Sequence, residues 1–249
     1  YMISEGYWER LFLAHIQPLG FFWSLLYKIL PTDLVPIFFL LGQAALLTLP
    51  IIGLYRFYGR LPAFAFLLYF PLWYNAQFDF HIDHLAVPLL FGFFLMEKKG
   101  KIGFAVVCGI LLAFVKEIFA IQAIFCGIYL FLIRKHRIEG SILTLISSAY
   151  FFISLVYLKV YFNPSIDVVR NDLIDWHTTY SWLGSDFTQV ALTLLTQPHW
   201  VAEKVFTDPE RLKYLIYLFG ALGFIPLLRP GILWITIPIL AHSLLSSEP

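Results

Sequence analysis

Leu34–Leu54 is a run of 21 residues without one charged side chain. As a helix rising 1.5 Å per residue it is long enough to cross the hydrocarbon core of a bilayer, which takes about 20 residues. Eight more segments are predominantly apolar: Phe12–Leu30, Leu61–Tyr74, Leu85–Met96, Ile102–Val115, Ile118–Ile133, Ser141–Phe162, Leu212–Leu228 and Gly231–Leu245. Ser141–Phe162 reaches crossing length; several of the others are visibly short. Backbone polar groups must be satisfied internally in lipid, so apolar segments of this kind form helices. The expected fold is all-α, a polytopic transmembrane helix bundle with short helices. Composition agrees. Only 13% of residues are charged and 60% are hydrophobic, where a soluble domain carries about 25% charged residues.

A net charge of +1 excludes a nucleic-acid surface, which needs a basic patch to meet phosphates. Cys108 and Cys126 both sit inside apolar runs and form neither a disulfide framework nor a metal pair. They read as small packing residues. The chain opens at Tyr1 with no signal-peptide pattern and stops at Pro249 just after an apolar run. It reads as one transmembrane domain, residues 1–249, cut from a longer protein.

Basic residues set the orientation. Arg56 and Arg60 flank one connection, Lys98, Lys99 and Lys101 mark the next, Arg134, Lys135 and Arg137 a third, and Arg229 a fourth. All four fall on the inner side if the segments from Leu34 onward alternate. The stretch Asp79–His84 and a long loop, residues 163–211, then lie outside. Ile102–Ile133 admits two readings. One helix would centre Lys116-Glu117 in the membrane, at about 2.5–3.5 kcal/mol per charge. A hairpin would put both at the outer end, although no Gly or Pro marks the turn. The hairpin is preferred. The first segment either spans or lies at the outer surface.

Three groups of residues could carry chemistry. Asp79, His81 and Asp83 alternate, so extended backbone puts them on one face, while His81 and His84 are neighbours on a helix. Either geometry lets a carboxylate orient an imidazole, or several of them hold a divalent metal ion. The plainer alternative is a solvated loop with Asp83 as the N-cap of the next helix. Lys116-Glu117 suits an anion-binding lysine with a supporting glutamate, or a simple ion pair at a helix end. Tyr180-Ser181-Trp182-Leu183-Gly184-Ser185, after Asn171, Asp172, Asp175, Trp176 and His177, mixes aromatics, hydroxyls and carboxylates as sugar sites do. It also suits a folded loop with an aromatic anchor. His15 either faces a cavity or sits at the interface.

Several short motifs run in order along the chain: His15-x-x-Pro18 with Leu26-Tyr27 and Pro31, Gln43, Phe80-His81 before Pro88, Lys116-Glu117, Tyr180-x-x-Leu183-Gly184, and Gly223-Phe224-x-Pro226-Leu227 with Pro230 and Pro238. In this order they resemble domain of unknown function 2079, a family of prokaryotic integral membrane proteins. That family looks related to the GT-C membrane glycosyltransferases. The resemblance implies a GT-C-like bundle in a prokaryotic plasma (inner) membrane. It implies transfer of a sugar from a polyprenyl-phosphate donor on the outer face, with membrane lipid as a partner. By position Asp79, His81 and Asp83 would be catalytic or metal-binding. Lys116 would meet the lipid phosphate with Glu117 in support, and His15, Tyr180 and Gly184 would line the substrate. Glu5, Glu9 and Asp33 are the only acidic residues before the second segment, and none matches the base expected in the first outer loop. The rival function is a non-enzymatic transporter or lipid-binding membrane protein.

Overall fold

From Val35 to Tyr58 apolar side chains fall on every face, interrupted by Gln43, Thr48 and Arg56, and a 24-residue helix results. Its most apolar 18-residue window has mean hydropathy 2.2, yet only 22% of that window is buried by the rest of the protein. A core helix of a soluble protein would be covered; this one presents apolar surface outward, as a membrane helix does. The computed structural model describes residues 16–77, 80–154 and 179–247. Among them every regular element is helical. The chain divides into two compact units, residues 1–154 and 155–249.

In the first unit, α1 (Gly20–Ile29) precedes α2 (Val35–Tyr58), α3 (Arg60–Leu67) and α4 (Phe70–Gln77). A 3₁₀ turn, Ile82–Leu85, leads into α5 (Ala86–Lys98). Then come α6 (Ile102–Ala113), α7 (Glu117–Ile128, prolonged by a π turn to Ile133) and α8 (Arg137–Phe152). Helix α2 is the one described helix long and apolar enough to cross a membrane; Ile102–Ala113, Glu117–Ile133 and Leu233–Leu245 are apolar but shorter. At ten residues α1 rises about 15 Å, so the described part of the first segment is no full crossing.

Three connections lie together at one end of this unit. The ammonium of Lys98 stands 4.1 Å from the centre of the Tyr58 ring, and that of Lys99 3.3 Å from Phe57, joining the α2–α3 turn to the α5–α6 turn. Glu97, buried, pairs with Arg134 of the α7–α8 turn. Three of the four basic clusters therefore share an end. Helices α2, α5 and α7 run toward it and α6 and α8 run away. Glycines let α7 and α8 cross closely: a Cβ on Gly140 would stand 2.6 Å from the Phe131 nitrogen and 2.7 Å from the Gly127 oxygen.

Two expected segments are interrupted. Leu61–Tyr74 divides at Leu68-Tyr69 into α3 and α4. Pro71 has no N–H to give Leu67, four residues back, and its ring crowds that carbonyl. The Trp73 indole N–H takes up the orphan, donating to the Leu67 oxygen at 2.7 Å. In the second unit, α9 (Phe187–Thr196), α10 (Pro198–Thr207), α11 (Pro209–Leu215, prolonged to Gly220) and α12 (Pro230–Leu245) are helical. Leu212–Leu228 is thus no single helix: it turns through Gly223 and Phe224, both in the left-handed region at φ 59°. The described part of the expected loop at 163–211 is largely α9 and α10.

Candidate functional site

The end of the first unit opposite the basic turns collects the polar residues. Lys116 breaks the chain between α6 and α7 in extended conformation, φ −167° and ψ 157°, so the hairpin forms without Gly or Pro. Its Nζ lies 3.5 Å from Oδ2 of Asp83. The two side chains are 18% and 35% exposed, a pair that is half sheltered and loosely closed. An exposed ion pair contributes only about 0–1 kcal/mol, so stability alone gives little reason to keep charges here. Asp83 does not cap the following helix. Neither the 3₁₀ turn nor α5 receives a side-chain cap; the carboxylate reaches across to Lys116 instead.

Glu117 opens α7, where a negative charge complements the helix dipole. Its Oε2 accepts the backbone N–H of Ile16 at 3.2 Å. The Tyr150 hydroxyl donates to the Ile16 carbonyl at 3.2 Å, and the Leu19 N–H to the Phe114 carbonyl at 3.3 Å. Glu117 thus ties the segment at Ile16 to the hairpin tip that carries Lys116. His15, one residue earlier, and Asp79 lie outside the described residues, as do Asn171 to His177.

Gln43 holds the His81 segment. It is fully buried, the only amide in the long apolar run. Its Oε1 accepts the His81 N–H at 3.0 Å, and its Nε2 faces the Asn75 carbonyl at 3.5 Å. The His84 ring folds back, Nδ1 2.7 Å from the His81 carbonyl and Nε2 3.2 Å from the Asn75 carbonyl. Buried and committed to main chain, His84 is a brace between the end of α4 and the turn at His81. The Trp23, Phe39 and Phe80 rings pack together edge-on or tilted, with centroids 4.7–5.6 Å apart. His81 itself is extended, with an exposed side chain. Among the described residues no three His, Cys, Asp or Glu side chains are grouped to hold a metal ion. His81 and Asp83 are the described members of the expected metal set.

Tyr180 and Gly184 belong to the second unit, in a turn clasped to the end of α12. The Tyr180 hydroxyl meets His242 Nδ1 at 2.8 Å. The Trp182 indole donates to the Leu245 carbonyl at 2.8 Å, the Ser181 N–H to Ser247 Oγ at 2.9 Å, and the Ser247 N–H to the Thr179 carbonyl at 2.7 Å. Arg211, buried, donates to the Ser246 carbonyl and to Asp208, both at 2.9 Å, and lies 4.8 Å from the Trp182 ring. Helix ends leave carbonyls without partners and favour cations; Trp182 and Arg211 answer both needs. Gly184 is small because α9 presses on it: a Cβ there would stand 2.6 Å from Gln189 Cβ and 2.9 Å from the Val190 nitrogen. Burial raises the ionisation point of the Tyr180 phenol.

Sequence reasoning took Gln43 only as an element of the family pattern, and passed over Asn75, Tyr150 and Arg211 as site or clasp residues. A lone amide in a 21-residue apolar run was the one readable signal among them.

Across residues 5–249 the chain matches the family described as "Predicted membrane protein (DUF2079)". The chain belongs to this family. Membership accounts for the uncovered apolar surface of α2, and the polar cluster at Asp83 and Lys116 lies inside the matched span. Comparison with curated proteins and with solved structures gives no match.

Proposed function

We propose that the protein is a polytopic membrane enzyme of the GT-C kind that transfers a sugar from a polyprenyl-phosphate donor on the outer face of a prokaryotic inner membrane. The observation that carries this reading is the pairing of Asp83 with Lys116. These residues are 33 positions apart, yet two turns bring them to 3.5 Å at the end away from the basic connections. A chain with 13% charged residues places few ionisable groups at helix ends inside its apolar mass, and those it keeps are the first place to seek chemistry.

Lys116 sits where α7 begins, so its ammonium and the positive end of the helix dipole favour the same anion. A donor phosphate there competes with Asp83 for the lysine. As the loose pair opens, the carboxylate becomes available as a base. The acceptor hydroxyl attacks the anomeric carbon and its proton passes to Asp83. The new carbon–oxygen bond forms as the bond to phosphate breaks, and the electron pair leaves on the lipid phosphate, stabilised by Lys116. Glu117 acts by tying the Ile16 segment to the start of α7, next to the lysine in sequence. His81, exposed two positions before Asp83, is the second residue we assign to the catalytic or metal-binding position.

The test is binding of a short-chain polyprenyl phosphate to the purified protein, followed by transfer from its sugar-loaded form. Lys116→Gln loses a charge-assisted contact of about 1.5–3 kcal/mol, which weakens phosphate binding by roughly 10- to 150-fold. Asp83→Asn keeps binding and loses transfer. Equal binding by wild type and Lys116→Gln would sink the reading.

A further inference from the structure

Three turns meet at the basic end of the first unit, and each needs one residue in the left-handed region. Two use glycine, Gly59 at φ 91° and Gly100 at φ 71°. The third uses Lys135, at φ 63°. A side chain there is strained, and glycine is the usual residue where a helix ends in this conformation. The helix dipole does not explain the choice, because Arg134 already supplies a cation at the end of α7.

What surrounds Lys135 suggests what it is kept for. Arg134 is spent on Glu97. Lys135 and Arg137 are exposed, and neither is paired with a carboxylate among the described residues. Between α7 and α8, starting three residues before Lys135 and four after Arg137, runs a groove of about 370 Å³ lined by Ile128, Phe131, Leu132, Ser141, Thr144 and Leu145. Leu132 and Leu145 are 56% and 68% exposed. Between Arg137 and Leu145 the helix rises about 12 Å, so cations stand at the mouth and hydrocarbon along the length.

We propose that this turn binds one anionic phospholipid, its headgroup phosphate on Lys135 and Arg137 and one acyl chain in the α7–α8 groove. A free phosphate would leave the groove unused, and a neutral lipid would leave the cations unused. The site stands at the opposite end of the unit from Asp83 and Lys116, so it succeeds or fails separately from the transfer reaction.

The experiment counts lipid bound to the intact detergent-purified protein by native mass spectrometry. The probes are phosphatidylglycerol, phosphatidylcholine of the same chains, and glycerol 3-phosphate. Phosphatidylglycerol should bind about five- to tenfold tighter than phosphatidylcholine per cation engaged, and glycerol 3-phosphate should not displace it. Lys135→Gly should weaken phosphatidylglycerol binding by about fivefold while the Tm in lipid-free detergent holds or rises, because glycine relieves the left-handed backbone. A merely structural lysine would not move those two readouts in opposite senses. Lys135→Gln should lose binding equally while keeping the strain, and Leu145→Trp should lose it by filling the groove with the charges intact. Unchanged binding by Lys135→Gly and Lys135→Gln overturns the proposal. So does equal affinity for phosphatidylcholine, or full competition by glycerol 3-phosphate.

Discussion

Replacing Gln43 by Met tests whether one amide in α2 holds the Asp83 turn in place. The side chain is fully buried, and Met nearly conserves its shape, so packing changes little. What is lost is the acceptor, 3.0 Å away, for the His81 N–H. Removing one partner from a buried polar group costs about 1–3 kcal/mol. The second contact, to the Asn75 carbonyl at 3.5 Å, is too long to add much, and that carbonyl keeps the His84 ring. The total stays near 1–3 kcal/mol, which for a unit of this size lowers Tm by roughly 2–12 °C. The location of the loss matters more than its size. Deuterium uptake over residues 80–85 should speed up by about 5- to 150-fold, the same free energy read as local opening, while α6 and α7 keep their protection. Leu47→Met, a volume-conserving change at another buried position of α2, should leave uptake over 80–85 alone. If Gln43→Met leaves that uptake unchanged, the amide is not what holds His81. If uptake rises equally everywhere, the loss is global and the bracing argument is wrong.

Two further outcomes are expected. The Trp73 indole matters because Pro71 orphans the Leu67 carbonyl, so Trp73→Phe should cost about 1 kcal/mol in the wild type and clearly less when Pro71→Ala restores an N–H. Equal costs in a thermal double-mutant cycle would remove that explanation. Burial raises the Tyr180 phenol above its unfolded value of about 10. Its stabilising contribution is therefore complete below about pH 10 and is lost as pH rises through the higher folded value. Tyr180→Phe should lack this alkaline sensitivity in stability measured from pH 8 to 12, and a component of phenolate absorbance at or below pH 10 that is present in the wild type and missing from folded Tyr180→Phe would contradict it.

Helices were legible here because apolar runs this long have few alternatives, and the position of Lys116 at the tip of a hairpin followed from its own charge and from the clusters at Lys98–Lys101 and Arg134–Arg137. The same alternation that gathers basic turns at one end must return Asp83 and Lys116 to the other, so their nearness was implicit in the spacing of lysines and arginines far from either. What the spacing could not convey was how the polar turn is built. Asp83 has the residue type and place of an N-cap, and only the folded structure puts it on Lys116. The interruption at Leu68-Tyr69 rests on Pro71, which was in plain view, but proline is tolerated inside membrane helices and inside α2 itself at Pro50. A proline alone therefore does not say whether a helix bends or stops; a donor for the orphaned carbonyl, here Trp73, is present where it stops. Gln43 is the same lesson in reverse. An amide placed in hydrocarbon must find partners, so its presence in α2 requires a turn of main chain to approach that helix from outside, and the turn that does so is the one bearing His81 and Asp83.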